Sequence, residues 1–435
     1  MNRPSHIDWK SITRSIAGIG GAAAAGQLLT FMASPVVSRL FDQEAFGRFG
    51  LFFSLANVLA ILATLGLQDA IFAARQESHA RILFQAALRL LLIFSPLLGL
   101  SAYVLIHFNI LGYGALPGWA APLLALEVAI ISATAVFQVW LVQGKRFRPL
   151  AASYLIQGGA RPGTQIAAGF GHFGFSGLIG AELASRATVL GTLLWAGWSD
   201  LRTTFGTVTR ENCVTIAREY RSFLFFRTPS ALLFNFGTAL PPALITAAYG
   251  VSPAGLYTFM FSVIVAPIAF AQKAIGDVFL GHFAALFKTD PRQAQRFLQR
   301  ILCGLFAGST LPAALLWFQG ADLFALVFGE PWRESGRLAG IIAPLFMCDL
   351  AIGPVTQVLN VVNRPQFKLV FDLGRITAYL AAYFLATRQH ASLPEMVRYL
   401  AWFGTVSYVI YLGLILHGVA SFKSPREQST VEINR

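Results

Sequence analysis

Two arginines, Arg161 and Arg186, each stand near the middle of a long apolar stretch, too far from its ends to reach water by extending the side chain. A cation at such a depth costs roughly 2.5–3.5 kcal/mol on insertion, so it must meet an anion, a water-filled cavity or a ligand. Glu182 precedes Arg186 by four residues and shares its helical face. Tyr154, Gln157, Thr164 and Gln165 recur around Arg161 at helical spacing and make one polar stripe. Gly158, Gly159, Pro162 and Gly163 flank the same arginine, and Pro162 removes a backbone donor, which predicts a kink. Guanidinium groups bind phosphate oxygens through paired, charge-assisted hydrogen bonds. Such a cluster suits an anionic, hydroxyl-rich ligand better than a lipophilic cation.

Other ionisable residues fall inside apolar stretches as well. The cations are Arg89, Arg227, Lys273 and Arg375; the acids are Asp69, Glu127, Asp277, Asp349 and Asp372. Arg89 and Arg227 lie close enough to one end of their stretches to snorkel, and Lys273 with Asp277 has the spacing of a local pair. Polar stripes recur: Glu127, Thr134 and Gln138; Asn57, Thr64 and Gln68; Gln27, Thr30 and Ser34; Asp349, Thr356 and Asn360. One stripe is explained by hydrogen bonding between helices, but stripes in many segments point to a shared hydrophilic cavity. The substrate-binding candidates are therefore Arg161, Arg186, Glu182, Gln157, Gln165, Arg227 and Arg375. The ion-coupling candidates are Glu127, Asp349, Asp69 and Asp277. No P-loop, H-E-x-x-H or G-x-G-x-x-G is present, and no nucleophile–base pair stands out. Cys213, Cys303 and Cys348 lie far apart, without metal or disulfide spacing. Neither a catalytic residue nor a metal site is expected.

The elements that must hold these residues are membrane helices. Of 435 residues, 56% are hydrophobic and 12% charged, against about 25% charge in soluble domains, so there is too little charge for a water-soluble skin. Twelve stretches reach the length of about 20 residues that a spanning helix needs: 15–38, 48–73, 83–106, 119–142, 149–170, 175–197, 223–247, 255–281, 298–319, 336–361, 367–387 and 398–420. The first is too long for a signal-peptide core and reads as an uncleaved helix. With both termini in the cytoplasm, 21 lysines and arginines fall in cytoplasmic segments and six, among them Arg337 and Arg398, on the other side, as the positive-inside rule requires. The net charge of +13 is then explained by anionic lipid rather than nucleic acid. The polar segment around 201–222 divides the chain into a six-helix lobe at 1–200 and a second at 223–435. A shift of 208 residues places Phe46-Gly47-Arg48-Phe49 on Ala254-Gly255-Leu256-Tyr257, Ser54 on Ser262 and Asp69 on Asp277. Transporters built from such repeats bind substrate between the halves. The expected fold is an all-α polytopic membrane protein, with twelve transmembrane helices in two six-helix lobes around a central cavity.

Particular segments narrow this further. Ser34-Pro35-Val36-Val37-Ser38-Arg39-Leu40-Phe41 with Phe46-Gly47-Arg48-Phe49 resembles the opening of the O-antigen and exopolysaccharide repeat-unit flippases, within the superfamily that also contains the multidrug/cation antiporters. Arg227-Thr228-Pro229, Tyr249-Gly250, Pro267 and Asp277-Val278-Phe279 are similar to that family's second half. The resemblance implies a two-lobed bundle with a central cationic cavity. It also implies alternating access that carries undecaprenyl-diphosphate-linked oligosaccharide from the cytoplasmic to the periplasmic leaflet of a bacterial inner membrane. Implied with it are no cofactor, coupling to a proton gradient, a sodium gradient or the membrane potential, contact with membrane lipids, and a glycan polymerase and chain-length regulator as partners. A cation-coupled multidrug or small-molecule exporter of the same superfamily is the alternative. A membrane-embedded polymerase or glycosyltransferase would normally present a large outer loop, and the longest connection here is cytoplasmic.

Overall fold

The computed structural model describes residues 9–74, 76–204, 219–220 and 228–421. Among them there is no strand, and fourteen α-helices follow one another with short connections. They are α1 (Trp9–Leu40), α2 (Gln43–Thr64), α3 (Leu67–Ala73), α4 (Glu77–His107), α5 (Ala120–Gln143), α6 (Phe147–Phe170) and α7 (Gly174–Thr204), then α8 (Thr228–Tyr249), α9 (Val251–Thr289), α10 (Pro291–Phe328), α11 (Arg333–Ile352), α12 (Val358–Val361), α13 (Gln366–Arg388) and α14 (Leu393–Ala420). Among the described residues, eleven helical stretches are long and apolar enough to cross a membrane. The twelfth expected span, α6, is a continuous helix of 24 residues that runs through Pro162. It falls short in apolarity because its glycines and polar stripe occupy much of its surface.

Two expected spans are interrupted. The span at 48–73 breaks at Leu65 and Gly66, both left-handed at φ 49° and 70°, which separates α2 from α3. The break frees a carbonyl of Leu65 that the Thr228 hydroxyl satisfies at 2.9 Å, as a buried acceptor requires. The span at 336–361 breaks at Gly353-Pro354, where a short 3-10 turn stands between α11 and α12. Several others are longer than expected, α9 and α10 most of all: they have 39 and 38 residues, or about 57 Å each at 1.5 Å per residue, well beyond a hydrocarbon core of about 30 Å. Asp290 joins them and caps α10 by accepting from the backbone N–H groups of Arg292 and Gln293 at 2.9 and 3.1 Å.

The chain divides into two compact units. The first comprises the described residues of Met1–Asn235 together with Gly250–Gly255; the second comprises Phe236–Tyr249 and the described residues of Leu256–Arg435. Most of the expected linker at 201–222 lies outside the described residues, as do Arg227 and Cys213.

In the first unit, α4, α5 and α7 close on a core in which the Phe84 ring meets Phe137 at 5.3 Å and Trp140 at 4.7 Å. Helices α1 and α6 touch backbone to backbone at Gly26 and Gly158, where any Cβ would collide with the facing chain. Small residues permit this kind of approach inside membranes. The first turns of α2 and α9 also cross, and reciprocally: a Cβ on Gly47 would strike the Val251 carbonyl, and one on Gly255 the Gln43 carbonyl. These two contacts are related by the 208-residue offset of the repeat.

In the second unit, Phe259 packs at 4.0 Å on Trp332 and edge-on against Phe324 and Phe328. Gly320 of α10 and Gly336 and Gly340 of α11 bring those two backbones together. Helix α14 begins with a full capping box at Ser392 and Glu395 and packs on α11 and α13.

Candidate functional site

Four of the charged residues singled out in the sequence converge inside the first unit. Glu127 comes from α5, Arg161 from α6, and Glu182 and Arg186 from successive turns of α7. The close α1–α6 approach at Gly158 fixes α6 one turn before Arg161, and Thr164, one turn after, lies 2.7 Å from its own Ala160 carbonyl and 3.1 Å from the Ala181 carbonyl of α7. The arginine is thus clamped on both sides along its helix. Arg161 Nε lies 2.9 Å from Glu182 Oε2, and Arg186 Nε donates to Glu182 Oε1 at 2.6 Å. Arg186 Nε also lies 2.7 Å from Glu127 Oε1, but its single N–H points at Glu182. Both Glu127 oxygens are enclosed and, among the described residues, receive no hydrogen bond.

Exposure within the quartet is uneven. The Glu127 and Glu182 side chains are 0% and 2% exposed, whereas those of Arg186 and Arg161 are 15% and 29% exposed. Both guanidiniums lie over the same ring, that of Phe53 on α2, at 5.5 and 5.4 Å from its centroid. The carboxylates form the floor and the guanidiniums the accessible layer. Arg186 Nε donates to Glu182, Arg161 Nε stands 2.9 Å from Glu182 Oε2 without forming a hydrogen bond, and among the described residues the Nη groups of both arginines form no hydrogen bond. That leaves the Nη groups of each, which hold four of an arginine's five donors, for a ligand. The formal charges cancel, so the floor neutralises the cluster at rest while the forks keep their donor geometry.

Gln157 is half-buried and Gln165 buried, both on α6. Asp69 is half-buried in the first turn of α3, and Asp277 is exposed on α9; neither has a place in the quartet. Lys273 and Asp277 are both exposed. Several residues of the polar stripes serve their own helices: Thr30, Ser34 and Asn57 bond carbonyls three or four residues back, a common way for such side chains to be satisfied in apolar surroundings.

Arg375 and Asp349 lie in the second unit. Arg375 is 4% exposed and sits 3.5 Å from the buried Asp372, which Lys368 also meets at 2.8 Å. Its guanidinium lies over Phe371 at 5.5 Å, against Gly237 of α8, where a Cβ would press on it. In this conformation Arg375 is an enclosed, paired charge that fastens α8 to α13. Asp349 accepts from Tyr408 of α14 at 2.8 Å and from Gln272 of α9 at 3.0 Å; the same Gln272 amide also donates to the Asp349 carbonyl beside the α11 break.

Phe53, Lys368, Gln272 and Tyr408 were not singled out in the sequence. Phe53 gave no signal, since one phenylalanine in an apolar span is indistinguishable from packing. Gln272 and Tyr408 did offer one: each is polar within an apolar helix.

A family model described as polysaccharide biosynthesis protein matches residues 36–337. Comparison with curated proteins finds no match. Among solved structures, the lipid II flippase MurJ in an inward closed conformation superposes with a TM-score of 0.69 at 10% identity, covering 96% of this chain and 90% of the other. An inward-facing multidrug resistance MATE family transporter of the MOP superfamily gives 0.63 at 14% identity, covering 91% and 95%. A MOP superfamily transporter from Pyrococcus furiosus gives 0.54 at 16% identity, covering 94% and 96%. At these identities the likeness is one of fold.

Proposed function

The chain belongs to the polysaccharide biosynthesis protein family, and on that premise we propose that it flips undecaprenyl-diphosphate-linked oligosaccharide repeat units from the cytoplasmic to the periplasmic leaflet of a bacterial inner membrane, in O-antigen or exopolysaccharide synthesis. The observation that carries this reading is the division of labour within Arg161 and Arg186: their Nε atoms lie 2.9 and 2.6 Å from buried Glu182, with a hydrogen bond from Arg186, and the two guanidiniums are the accessible side of the cluster. A diphosphate leaving water needs several charge-assisted donors at once, and two pre-positioned forks supply them with little ordering cost. The lipid tail can stay in the bilayer while the phosphates and sugars pass through a polar cavity, by alternating access. Gln157 and Gln165 would offer amide groups to sugar hydroxyls, and Arg227 and Arg375 would complete the cationic lining in other conformations.

Glu127 is the carboxylate best suited to coupling. It is enclosed, it lies beside Arg186, and it lacks hydrogen bonds, so a proton taken up there would release Arg186 from one of its two partners. Asp349, Asp69 and Asp277 are the further candidates for coupling to a proton or sodium gradient. The same enclosed carboxylate favours a second reading, a cation-coupled multidrug or small-molecule exporter. One experiment separates the two. In a strain deleted for this protein and free of redundant flippases, lipid-linked repeat units should accumulate on the cytoplasmic leaflet while their synthesis continues, and drug susceptibility should stay unchanged. Normal surface glycan in that strain refutes the flippase reading.

A further inference from the structure

The second unit carries a long apolar groove on its surface, of about 880 Å³, walled by α10, α11 and α14. Its floor is where Gly320, Gly336 and Gly340 let α10 and α11 approach. Its walls include Trp317 and Trp402, 57% and 69% exposed. Along α14 the groove runs from Arg398 to Ile410, a rise of about 18 Å, close to the depth of one leaflet of a hydrocarbon core about 30 Å thick. The ionisable groups of its lining, Arg337 and Arg398, stand near the N-terminal ends of α11 and α14. Both belong to segments that the charge pattern assigns to the periplasmic side.

Their charge is only partly spent. Arg337 meets Glu334 at 3.7 Å across an exposed surface, a separation that contributes little in water. Arg398 makes no ion pair among the described residues. Glu395, which feels its charge, is already engaged by the Ser392 N–H and hydroxyl at 2.7 and 2.8 Å. The positive ends of two helix dipoles lie at the same end of the groove. A groove one leaflet deep, apolar along its length and doubly cationic at its interfacial end is complementary to a single amphiphile.

We propose that this groove binds an anionic glycerophospholipid of the periplasmic leaflet, with its phosphate held by Arg337 and Arg398 and one acyl chain lying over the α10–α11 glycine crossing and beside Trp402. This site is separate from the Arg161–Arg186 cluster, and it is a property of the second unit alone.

The test uses the full-length protein, purified in mild detergent and delipidated, with lipid adducts counted by native mass spectrometry. Phosphatidylglycerol and phosphatidylcholine of identical chains are titrated in parallel. The first phosphatidylglycerol should bind roughly tenfold tighter than phosphatidylcholine, as two interfacial arginines imply. That preference should vanish in the Arg337→Gln/Arg398→Gln double variant and survive in Arg337→Lys/Arg398→Lys. Val406→Trp, which fills the groove, should weaken both lipids. Equal binding of the two lipids to the unaltered protein overturns the proposal, as does a preference that outlives the double glutamine variant. Soluble glycerol 3-phosphate binding as tightly as the lipid overturns it too, because the groove would then be idle. All these side chains are exposed, so the variants should fold, and a monodisperse elution profile checks it. Since binding is read without any flipping assay, its failure leaves the proposed function standing.

Discussion

An arginine that serves a carboxylate with Nε and a ligand with Nη cannot be replaced by lysine, which has one nitrogen for both tasks. Arg161→Ala and Arg186→Ala should each reduce complementation of surface glycan by tenfold or more (roughly the loss of one charge-assisted contact), and the lysine variants should recover only part, at unchanged protein levels by immunoblot. If Arg186 merely neutralised Glu182, the Glu182→Gln/Arg186→Gln pair would transport normally; it should instead remain defective. The acids differ from each other. Glu182 is bonded to one guanidinium and paired with a second, so Glu182→Ala should cost about 3 kcal/mol. Glu127 has no hydrogen bond to lose, and Glu127→Gln should stay within about 1 kcal/mol of the parent. Thermal unfolding in detergent ranks the two. The i, i+4 spacing made Glu182–Arg186 legible in the sequence, and the depth of Arg161 made it conspicuous. That Glu127 closes the same cluster was not legible, because its distance in the chain from Arg161 and Glu182 is bridged by the packing of α5 against α6 and α7.

At the scale of the helices, the apolar runs and their polar punctuation located twelve long segments, of which eleven, among the described residues, are apolar enough to span a membrane, and misjudged their continuity. An apolar run reads the same whether or not its backbone turns, and Leu65, the residue that ends α2, is itself apolar and adopts the left-handed region. The extra length of α9 and α10 was hidden for another reason: an expected span closes once it reaches the length that crosses a membrane, while the helices run on through the polar Pro291–Arg296 start of α10 and through mixed ends such as His282–Thr289 and Asp322–Phe328. The α2–α3 break depends on Thr228, so Thr228→Val, which keeps the shape and removes the donor, should cost about 1 kcal/mol, seen as a lower unfolding temperature. The α1–α6 crossing is less forgiving. Gly158→Leu would drive a side chain into the Gly26 backbone and should cost roughly 3 kcal/mol, with loss of the folded protein from membranes, whereas Gly159→Leu, one residue away with open space before it, should be accumulated normally.

For the whole molecule, the distribution of lysine and arginine bears on orientation, because orientation is a property of all the loops together. It makes a direct prediction. Single cysteines at Lys145 and Arg364 should react with a membrane-impermeant maleimide only after the cells are opened, and cysteines at Arg388 and Arg333 should react in intact spheroplasts. The opposite pattern would invert the proposed direction of transport.

The reciprocal crossing of α2 and α9 has a consequence of another kind. Gly47 faces Val251 and Gly255 faces Gln43, so each contact is the image of the other, as in the isologous interface of a homodimer. Here both partners of the pseudo-symmetric contact stand on a single polypeptide. The two segments share few residues at that offset, yet a side chain gained at Gly47 would be obstructed by Val251, which occupies the position equivalent to Gln43. Each segment thus limits which residues the other can carry.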